Sequence, residues 1–173
     1  MPSLNSQSPD KKKSFLIAIV RDVIRSYRRL KIIIRNQNRI TFGANSYVGS
    51  GADFYIPESA VINNNVSIGG NCLVQTNLMI GANSLISSNV SFIGNDHDLG
   101  LNADSAYHSG RNRPSNIVLE GNNFVGFGST LLGSIHIGEG AIIGAGSFVN
   151  KDVAAGTVVA GVPAKVVKLR SEL

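Results

Sequence analysis

The chain of 173 residues is poor in several residue types on which other classes of protein depend. It contains a single cysteine, Cys72, so no internal disulfide framework can form, and it contains no tryptophan. The apolar run from Phe15 to Val20 is short before Arg21 interrupts it, whereas a membrane-spanning helix needs about 20 apolar residues. No small-residue cleavage site follows, so the run is not predicted to be a signal peptide. We expect a cytoplasmic protein.

Charged residues are also scarce, at 16% of the chain, against an average of about 25%. Glycine is abundant, with 19 residues. This balance favours β structure with many tight turns over a compact helical domain. The formal net charge is +5, but nine of the 16 Lys and Arg residues precede residue 36, and the rest of the chain is close to neutral. No aromatic interleaving or known motif accompanies the basic segment, so we expect no nucleic-acid partner.

Apolar residues recur at every sixth position over most of the chain. One series begins at Ile56, and a second series begins at Leu119 after an interruption. At the 43% apolar content of this chain, thirteen independent positions would all be apolar in roughly two of 10⁵ trials. We call these positions the anchors; they are Ile56, Ile62, Ile68, Val74, Ile80, Ile86, Phe92, Leu119, Val125, Leu131, Ile137, Ile143 and Val149.

Two further sets of positions, each at a fixed distance after the anchors, recur with the same period of six; we call each set a column. The fourth residue after each anchor, except Asp96 and Asn123, is small or apolar, as a second inward position in a narrow core requires. The third residue after most anchors is Asn or Gly, and these residues best tolerate a left-handed backbone. This column contains Asn65, Asn71, Asn77, Asn83, Asn89, Asn95, Asn122, Gly128, Gly140 and Gly146.

Each hexad therefore predicts a short strand followed by a tight bend, and three hexads make one triangular coil. A stack of helical repeats is excluded, because a period of six matches neither 3.6 nor 3.5 and each Asn or Gly would cost a helix up to ~1 kcal/mol. The predicted fold class is all-β: a left-handed parallel β-helix of about five triangular coils. Residues 38–168 form this domain, 1–37 a tail and a basic amphipathic helix, and 169–173 a C-terminal tail.

The repeat breaks at Asp96 and does not resume until Ile117, which predicts a long loop, 98–116, extruded between coils. His97 stands at the exit point between Asp96 and Asp98. Their carboxylates could orient its ring and raise its basicity, as a general base requires. The alternative interpretation is a solvated loop histidine with ordinary acidic neighbours.

The other two histidines are weaker candidates. His108 lies within the loop, where a precise catalytic geometry is harder to hold. His136 falls between two inward-facing positions, so its side chain is predicted to point outward and to belong to the surface.

The C-terminal part of the chain resembles a known family. Its signature reads Ile137-Gly-Glu-Gly-Ala-Ile-Ile-Gly-Ala-Gly-Ser-Phe-Val-Asn-Lys-Asp-Val153, followed by Val159-Ala-Gly-Val-Pro-Ala-Lys-Val-Val-Lys168. Both segments are similar to the hexapeptide-repeat acyltransferases, and most similar to the sugar O-acetyltransferases of the galactoside, maltose and polysaccharide-decorating types. The segment from Leu78 to His97 also resembles the family segment that ends in a catalytic histidine.

The resemblance implies a homotrimer with active sites between subunits, acetyl-CoA as the acyl donor, no metal, and His97 as the general base. It implies transfer of an acetyl group to a sugar hydroxyl of a small-molecule or saccharide acceptor, in cell-surface polysaccharide or lipopolysaccharide biosynthesis. By position, the acceptor would meet Asn95, Asp96, Asp98 and Tyr107. Coenzyme A would meet Phe124, Gly126, Ala145, Asn150, Lys151, Lys165 and Lys168.

Three positions depart from the family pattern. Phe124 stands where tryptophan is common, Asn150 replaces a usual threonine, and Phe127 takes a place that is often serine. Lys151 and Lys168 also have a simpler interpretation as solvated surface residues, and Gly126 and Ala145 as turn and packing residues.

The segment from Lys11 to about Arg35 alternates apolar and basic residues with helical spacing. One interpretation is a helix packed on the β-helix or across the trimer. The other is attachment to the anionic inner face of a membrane.

Three other functions remain open at this stage. The first is N-acetylation of an amino sugar or a xenobiotic such as an antibiotic, which would use the same base and donor groove. The second is zinc-dependent hydration, since some β-helices of this kind hold zinc on three histidines. The third is a scaffold that has kept the fold and lost the chemistry.

Overall fold

The structure, a computed structural model, describes residues 15–94, 96–98, 105 and 107–173. One helix, α1 (Phe15–Arg35), precedes a long series of short strands. The strands are β1 (Ile40–Phe42), β2 (Tyr47–Val48), β3 (Asp53–Phe54), β4 (Ala60–Ile62), β5 (Ser67–Ile68), β6 (Leu73–Gln75), β7 (Asn77–Ile80), β8 (Leu85–Ile86), β9 (Ser91–Ile93), β10 (Asn116–Leu119), β11 (Phe124–Val125), β12 (Thr130–Leu132), β13 (Ile135–Ile137), β14 (Ile142–Ile143), β15 (Phe148–Val149), β16 (Thr157–Gly161) and β17 (Ala164–Leu169). A 3-10 helix over Arg170–Glu172 follows.

Every third strand belongs to the same sheet. Sheet 1 is β1-β4-β7-β10-β13, sheet 2 is β2-β5-β8-β11-β14-β16-β17, and sheet 3 is β3-β6-β9-β12-β15. All neighbouring strands are parallel except β16 and β17, which are antiparallel. The chain is therefore a parallel β-helix of three faces, which confirms the predicted fold class. Sheet 2 holds six parallel strands, so the helix has about six turns and not five.

The coils are not all of one length. Ala60 pairs with Leu78, eighteen residues later, as three hexads require. In the first coil Ile40 pairs with Ala60, so this coil is two residues longer. Phe54 pairs with Val74 and takes the place of an anchor. The prediction that Ile56 begins the strand pattern was wrong in register, although Ile56 is buried at the following corner.

The core of the prism is built from the two inward columns. All thirteen anchors are 3% exposed or less, and the second column is buried except at Asp96, which is exposed. Asn123, the other exception in that column, is buried. Its side-chain N–H donates to the Gly138 carbonyl at 2.8 Å, and its oxygen accepts the Gly121 N–H at 2.9 Å. Because both the nitrogen and the oxygen of this amide are hydrogen-bonded, Asn123 is buried without leaving an unpaired polar group in the core.

The predicted left-handed corners are present. Positive φ angles between 51° and 69° occur at Asn65, Asn71, Asn83, Asn89, Asn122, Gly128, Gly140 and Gly146. Asn77 departs from the prediction, because it begins β7, is buried, and does not have a positive φ. Its amide oxygen accepts the N–H groups of Glu58 and Ser59. Asn77 thus closes the longer corner of the first coil. Asn95 lies outside the described residues.

Helix α1 packs on the first coil, where Ile32 is buried. Arginines also contact this coil: the Arg25 guanidinium carbon lies 4.0 Å from the centre of the Tyr47 ring, and that of Arg35 lies 4.4 Å from the Tyr55 ring. Within the described residues, no helix is long and apolar enough to cross a membrane.

At the other end of the prism, the C-terminal segment covers the last parallel strand of sheet 2. β17 turns back on β16, and the Arg170 guanidinium donates to the carbonyls of Asn122 and Gly140 at 2.8 and 2.9 Å. The predicted C-terminal tail, 169–173, thus begins with the last residue of β17, and Arg170 contacts the β-helix.

Replacement of an inward side chain by alanine is expected to lower the free energy of unfolding much more than replacement of an outward one. Phe92 is fully buried, so Phe92→Ala should lower the free energy of unfolding by about 3–5 kcal/mol. Phe127→Ala removes the same side chain where it is 56% exposed and should change stability by less than ~1 kcal/mol. Urea denaturation of both variants measures the difference, and equal losses would contradict the inward register of β9.

Glycine at position 126 is required by coil stacking. A Cβ atom on Gly126 would lie 2.4 Å from the Ala145 backbone nitrogen of the next coil. Gly126→Ala should therefore cost about 1–3 kcal/mol in urea denaturation. At Gly70 the nearest atom to an added Cβ is 3.0 Å away, so Gly70→Ala should cost less. An unchanged stability in Gly126→Ala would argue against this approach of the two coils.

Candidate active site

The long interruption leaves the prism at the corner where sheet 3 turns into sheet 1. The last residue of β9 is Ile93 and the first of β10 is Asn116, so the excursion starts a few residues before the predicted 98–116. Its two ends lie side by side, because the Ser115 N–H donates to the Gly94 carbonyl at 3.1 Å. The Thr76 hydroxyl of the preceding coil donates to the Ser115 carbonyl at 2.6 Å. The loop therefore begins and ends on a fixed base.

His97 is held by its backbone at this base. It forms an antiparallel bridge with Arg111, and the Asn112 N–H donates to the Asp96 carbonyl at 2.9 Å. The Asn112 side chain also donates to the His97 carbonyl at 3.1 Å. Two strands of the loop thus pair next to the prism and fix the position of the histidine Cα.

The imidazole ring of His97 is exposed, and its Nδ1 lies 3.5 Å from the Ser109 hydroxyl. The Asp96 carboxylate accepts the backbone N–H of His97 at 2.7 Å. Asp96 therefore supports the main chain here, whereas the sequence suggested that it orients the ring. The backbone N–H of Asp98 donates to Gly110. Ser109, Arg111 and Asn112 were not singled out by the sequence, because antiparallel pairing inside the loop has no signal in the hexad pattern.

The other residues predicted to meet the acceptor lie farther out or outside the described part. Tyr107 is 84% exposed, and its ring meets that of His108 edge to face with centroids 4.8 Å apart. His108 Nδ1 lies 3.1 Å from the Ser105 hydroxyl. Asn95 is not described.

A row of outward side chains crosses sheet 2. Leu85, Phe124, Ile142 and Val158 lie at the same register on β8, β11, β14 and β16, and Lys168 of β17 pairs with Val158. Lys165 is exposed on the same terminal strand. The row places an apolar surface beside two cations.

Gly126 and Ala145 lie at the corner where sheet 2 turns into sheet 3. The N–H groups of Gly144 and Gly146 donate to the Val159 and Phe127 carbonyls at 2.8 Å, and Ala145 is exposed between them. The close approach of Ala145 to Gly126 explains the glycine by packing alone.

Asn150 and Lys151 are exposed and follow β15, at the corner where sheet 3 turns toward sheet 1. They share this edge of the prism with the base of the His97 loop. Gly126 and Ala145 lie at the opposite edge of sheet 3. A single chain therefore places the predicted base and part of the predicted donor site on two different edges.

His136 points outward, as predicted. Its Nε2 lies 3.0 Å from a Glu120 carboxylate oxygen, and its backbone N–H donates to Asp152. Among residues 15–94, 96–98, 105 and 107–173, no group of three His, Cys, Asp or Glu side chains could hold a metal ion.

Solved structures with this fold include several acyltransferases. An acetyltransferase of Vibrio cholerae that contains hexapeptide repeats, solved with acetyl-CoA, superposes with a TM-score of 0.67 at 23% identity over 86% of this chain and 87% of that one. The N-acyltransferase AntD of Bacillus cereus, solved with dTDP and 3-hydroxybutyryl-CoA, gives a TM-score of 0.61 at 17% identity over 83% and 86%. The polysialic-acid-specific acetyltransferase NeuO gives 0.52 at 20% identity over 75% of each chain.

Sequence similarity is confined to a shorter segment. A 2,3,4,5-tetrahydropyridine-2,6-dicarboxylate N-acetyltransferase of Staphylococcus aureus is 46% identical over 59 residues, which are 34% of this chain and 25% of that enzyme. No family model matches the chain. The hexad repeat, the three-faced coil and these structural neighbours support the same conclusion. The chain has the β-helix fold of the hexapeptide-repeat acyltransferase superfamily.

Proposed function

We propose that this protein is an acetyl-CoA-dependent acetyltransferase in which His97 is the general base. The observation that carries the proposal is the position of His97: an exposed imidazole on a backbone-paired base at the edge of a rigid prism. A scaffold that fixes the base in this way suits catalysis better than a histidine on an unsupported loop.

The chemistry needs few groups. A ring whose Nδ1 lies next to Ser109 can present its Nε2 to an acceptor hydroxyl or amine and take its proton. The acceptor oxygen or nitrogen then attacks the thioester carbonyl, and the thiolate of coenzyme A leaves. General base catalysis contributes about 10²–10⁴-fold, and alignment of the two substrates supplies much of the remaining acceleration.

Sheet 2 supports the choice of donor. Its outward row of Leu85, Phe124 and Ile142 matches a long, weakly polar pantetheine arm. Lys165 and Lys168 at the end of the row suit the phosphates of the nucleotide. Solved neighbours of the same fold hold acetyl-CoA or another acyl-CoA.

The separation of the two sets of residues supports a homotrimer. Within one chain, the base of the loop and the Gly126 corner lie at opposite edges of sheet 3. Packing of neighbouring prisms side by side would bring the His97 edge of one subunit against the donor surface of the next. We propose that each active site lies between two subunits.

The acceptor we propose is a sugar hydroxyl of a cell-surface polysaccharide or lipopolysaccharide. The neighbour that is specific for polysialic acid supports a saccharide. The relative with segmental identity and AntD both act on nitrogen, which favours an amino group as the second candidate. A cytoplasmic location stays a prediction.

Removal of the imidazole should abolish most of the transfer without loss of the fold. His97→Ala should reduce kcat/KM for release of free coenzyme A, in the presence of a panel of sugar and amino-sugar acceptors, by about 10²–10⁴-fold. The matched control is His108→Ala, which removes another exposed loop histidine and should retain activity within a few-fold. Full activity in His97→Ala would contradict the proposed base.

The product distinguishes the two acceptor classes. An O-acetyl ester is cleaved by mild alkaline hydroxylamine, whereas an N-acetyl amide is not. Mass spectrometry of the acetylated product before and after this treatment should show loss of the acetyl group if the acceptor is a hydroxyl. Retention would assign the reaction to nitrogen.

Donor binding can be tested apart from catalysis. Acetyl-CoA at 100 times its Kd should stabilise the folded protein by about 2.7 kcal/mol, measured as a rise in Tm, in the wild type and in His97→Ala alike. The double variant Lys165→Ala, Lys168→Ala should need a higher concentration for the same rise, whereas Lys31→Ala on α1 should not. No response in the wild type would contradict the transferase proposal.

A further inference from the structure

Helix α1 contacts the β-helix through Ile32 and through a row of arginines, and most of its described apolar side chains lie on the opposite side. The arginines Arg25, Arg29 and Arg35 lie over the rings of Tyr47, Phe42 and Tyr55, and Arg35 also pairs with Asp53. A helix on a globular protein normally buries its apolar stripe. Here only a small apolar contact at Ile32 and Ile33 is described, and guanidinium groups stacked on aromatic rings make further contacts.

The apolar side of α1 is consequently exposed. Large apolar side chains with exposed fractions between 43% and 67% are Ile17, Ile19, Val20, Val23, Ile24, Tyr27, Leu30 and Ile34. We call this set the outer face. A continuous apolar surface on this scale indicates an interaction site and not scattered surface residues.

Cations border the outer face. The helix contains six basic residues and one acidic residue. Lys31 is exposed and Arg28 half-buried, and both line a groove between the helix and the Gly49–Phe54 corner of the first coil. Tyr27 lies at the same groove. An apolar surface bordered by cations is complementary to a partner that has an apolar interior and a layer of anionic groups above it.

We propose that α1 binds flat on a membrane that contains anionic phospholipids. The helix spans about 31 Å, long enough to lie in the plane with its outer face at the boundary of the acyl chains. Lys31 and Arg28 contact lipid phosphates, and the β-helix stands on the aqueous side. This inference does not rest on the proposed enzymatic activity.

The charge of α1 favours a membrane over a second copy of this chain as the partner of the outer face. Two copies that paired through their outer faces would bring two strongly basic helices together, and like charges at close range repel. An anionic bilayer satisfies the apolar stripe and the cations at the same time.

The test is flotation of the full chain with large unilamellar vesicles. Wild-type protein should float with vesicles of mixed phosphatidylglycerol and phosphatidylcholine, bind pure phosphatidylcholine far less, and be released from the mixed vesicles by high salt. Val23→Glu and Ile34→Glu should each weaken partitioning more than about tenfold, because each places a charge in the centre of the outer face. Arg28→Gln and Lys31→Gln should each weaken it about fivefold.

The matched control is Val167→Glu. Val167 has the same exposed fraction as Val23, 62%, but lies on β17 at the other end of the prism. Its partitioning should equal that of the wild type, and light scattering should give one molar mass for all variants. The proposal is overturned if the wild type does not float, or if Val23→Glu floats like the wild type. It is also overturned if Val167→Glu weakens binding equally, or if Val23→Glu lowers the molar mass, which would make a second copy the occupant.

Discussion

The backbone of each coil is hydrogen-bonded to the coils before and after it, and almost everything else in the molecule follows from this stacking. Strands of two to six residues could not persist alone, but pairing in three sheets joins them into continuous faces. The same stacking leaves no room for a side chain where two corners meet, as at Gly126. It also imposes a left-handed backbone at one place in most hexads, which Asn and Gly adopt at small cost.

Stacking also explains where chemistry can be placed. The prism interior is filled by side chains, so no substrate can enter it, and functional groups must lie on faces, edges or inserted loops. The insertion after β9 uses an edge. Its ends are tied to the corner by Gly94, Thr76 and Ser115, so the loop can vary in length while His97 keeps its place. The flat row on sheet 2, in contrast, offers a long surface for an extended ligand.

The sequence predicted the parts of the fold that repeat. The anchors, the second inward column and the Asn and Gly corners followed from a period of six, because each hexad solves the same packing problem. Ile56 was assigned wrongly because the first coil is two residues longer, and an extended corner cannot be detected in a pattern of single residues. Asn77 was assigned wrongly for another reason: the described corners from sheet 3 to sheet 1 have no positive φ at this column, so the three corners of a coil are not equivalent.

The candidate site was predictable only in part, for a related reason. The interruption located His97, but the pairing with Arg111 and the contact with Ser109 depend on how the loop folds back on itself. The helical pattern of α1 was clear from the sequence, yet the side that meets the prism depended on three rings placed by the first coil. Tertiary partners, which a helical period does not encode, decided the orientation.

The reversal of the last strand has a consequence for assembly. A parallel β-helix has an open end at which an identical coil from another molecule could add, and repeated addition would build a fibre. β17 runs antiparallel to β16, and the backbone N–H of Arg170 donates to the Gly156 carbonyl at 2.7 Å. On sheet 2 an incoming coil would therefore meet a strand of the wrong direction and a carbonyl already in use. The reversal thus interrupts the parallel template on one of the three faces.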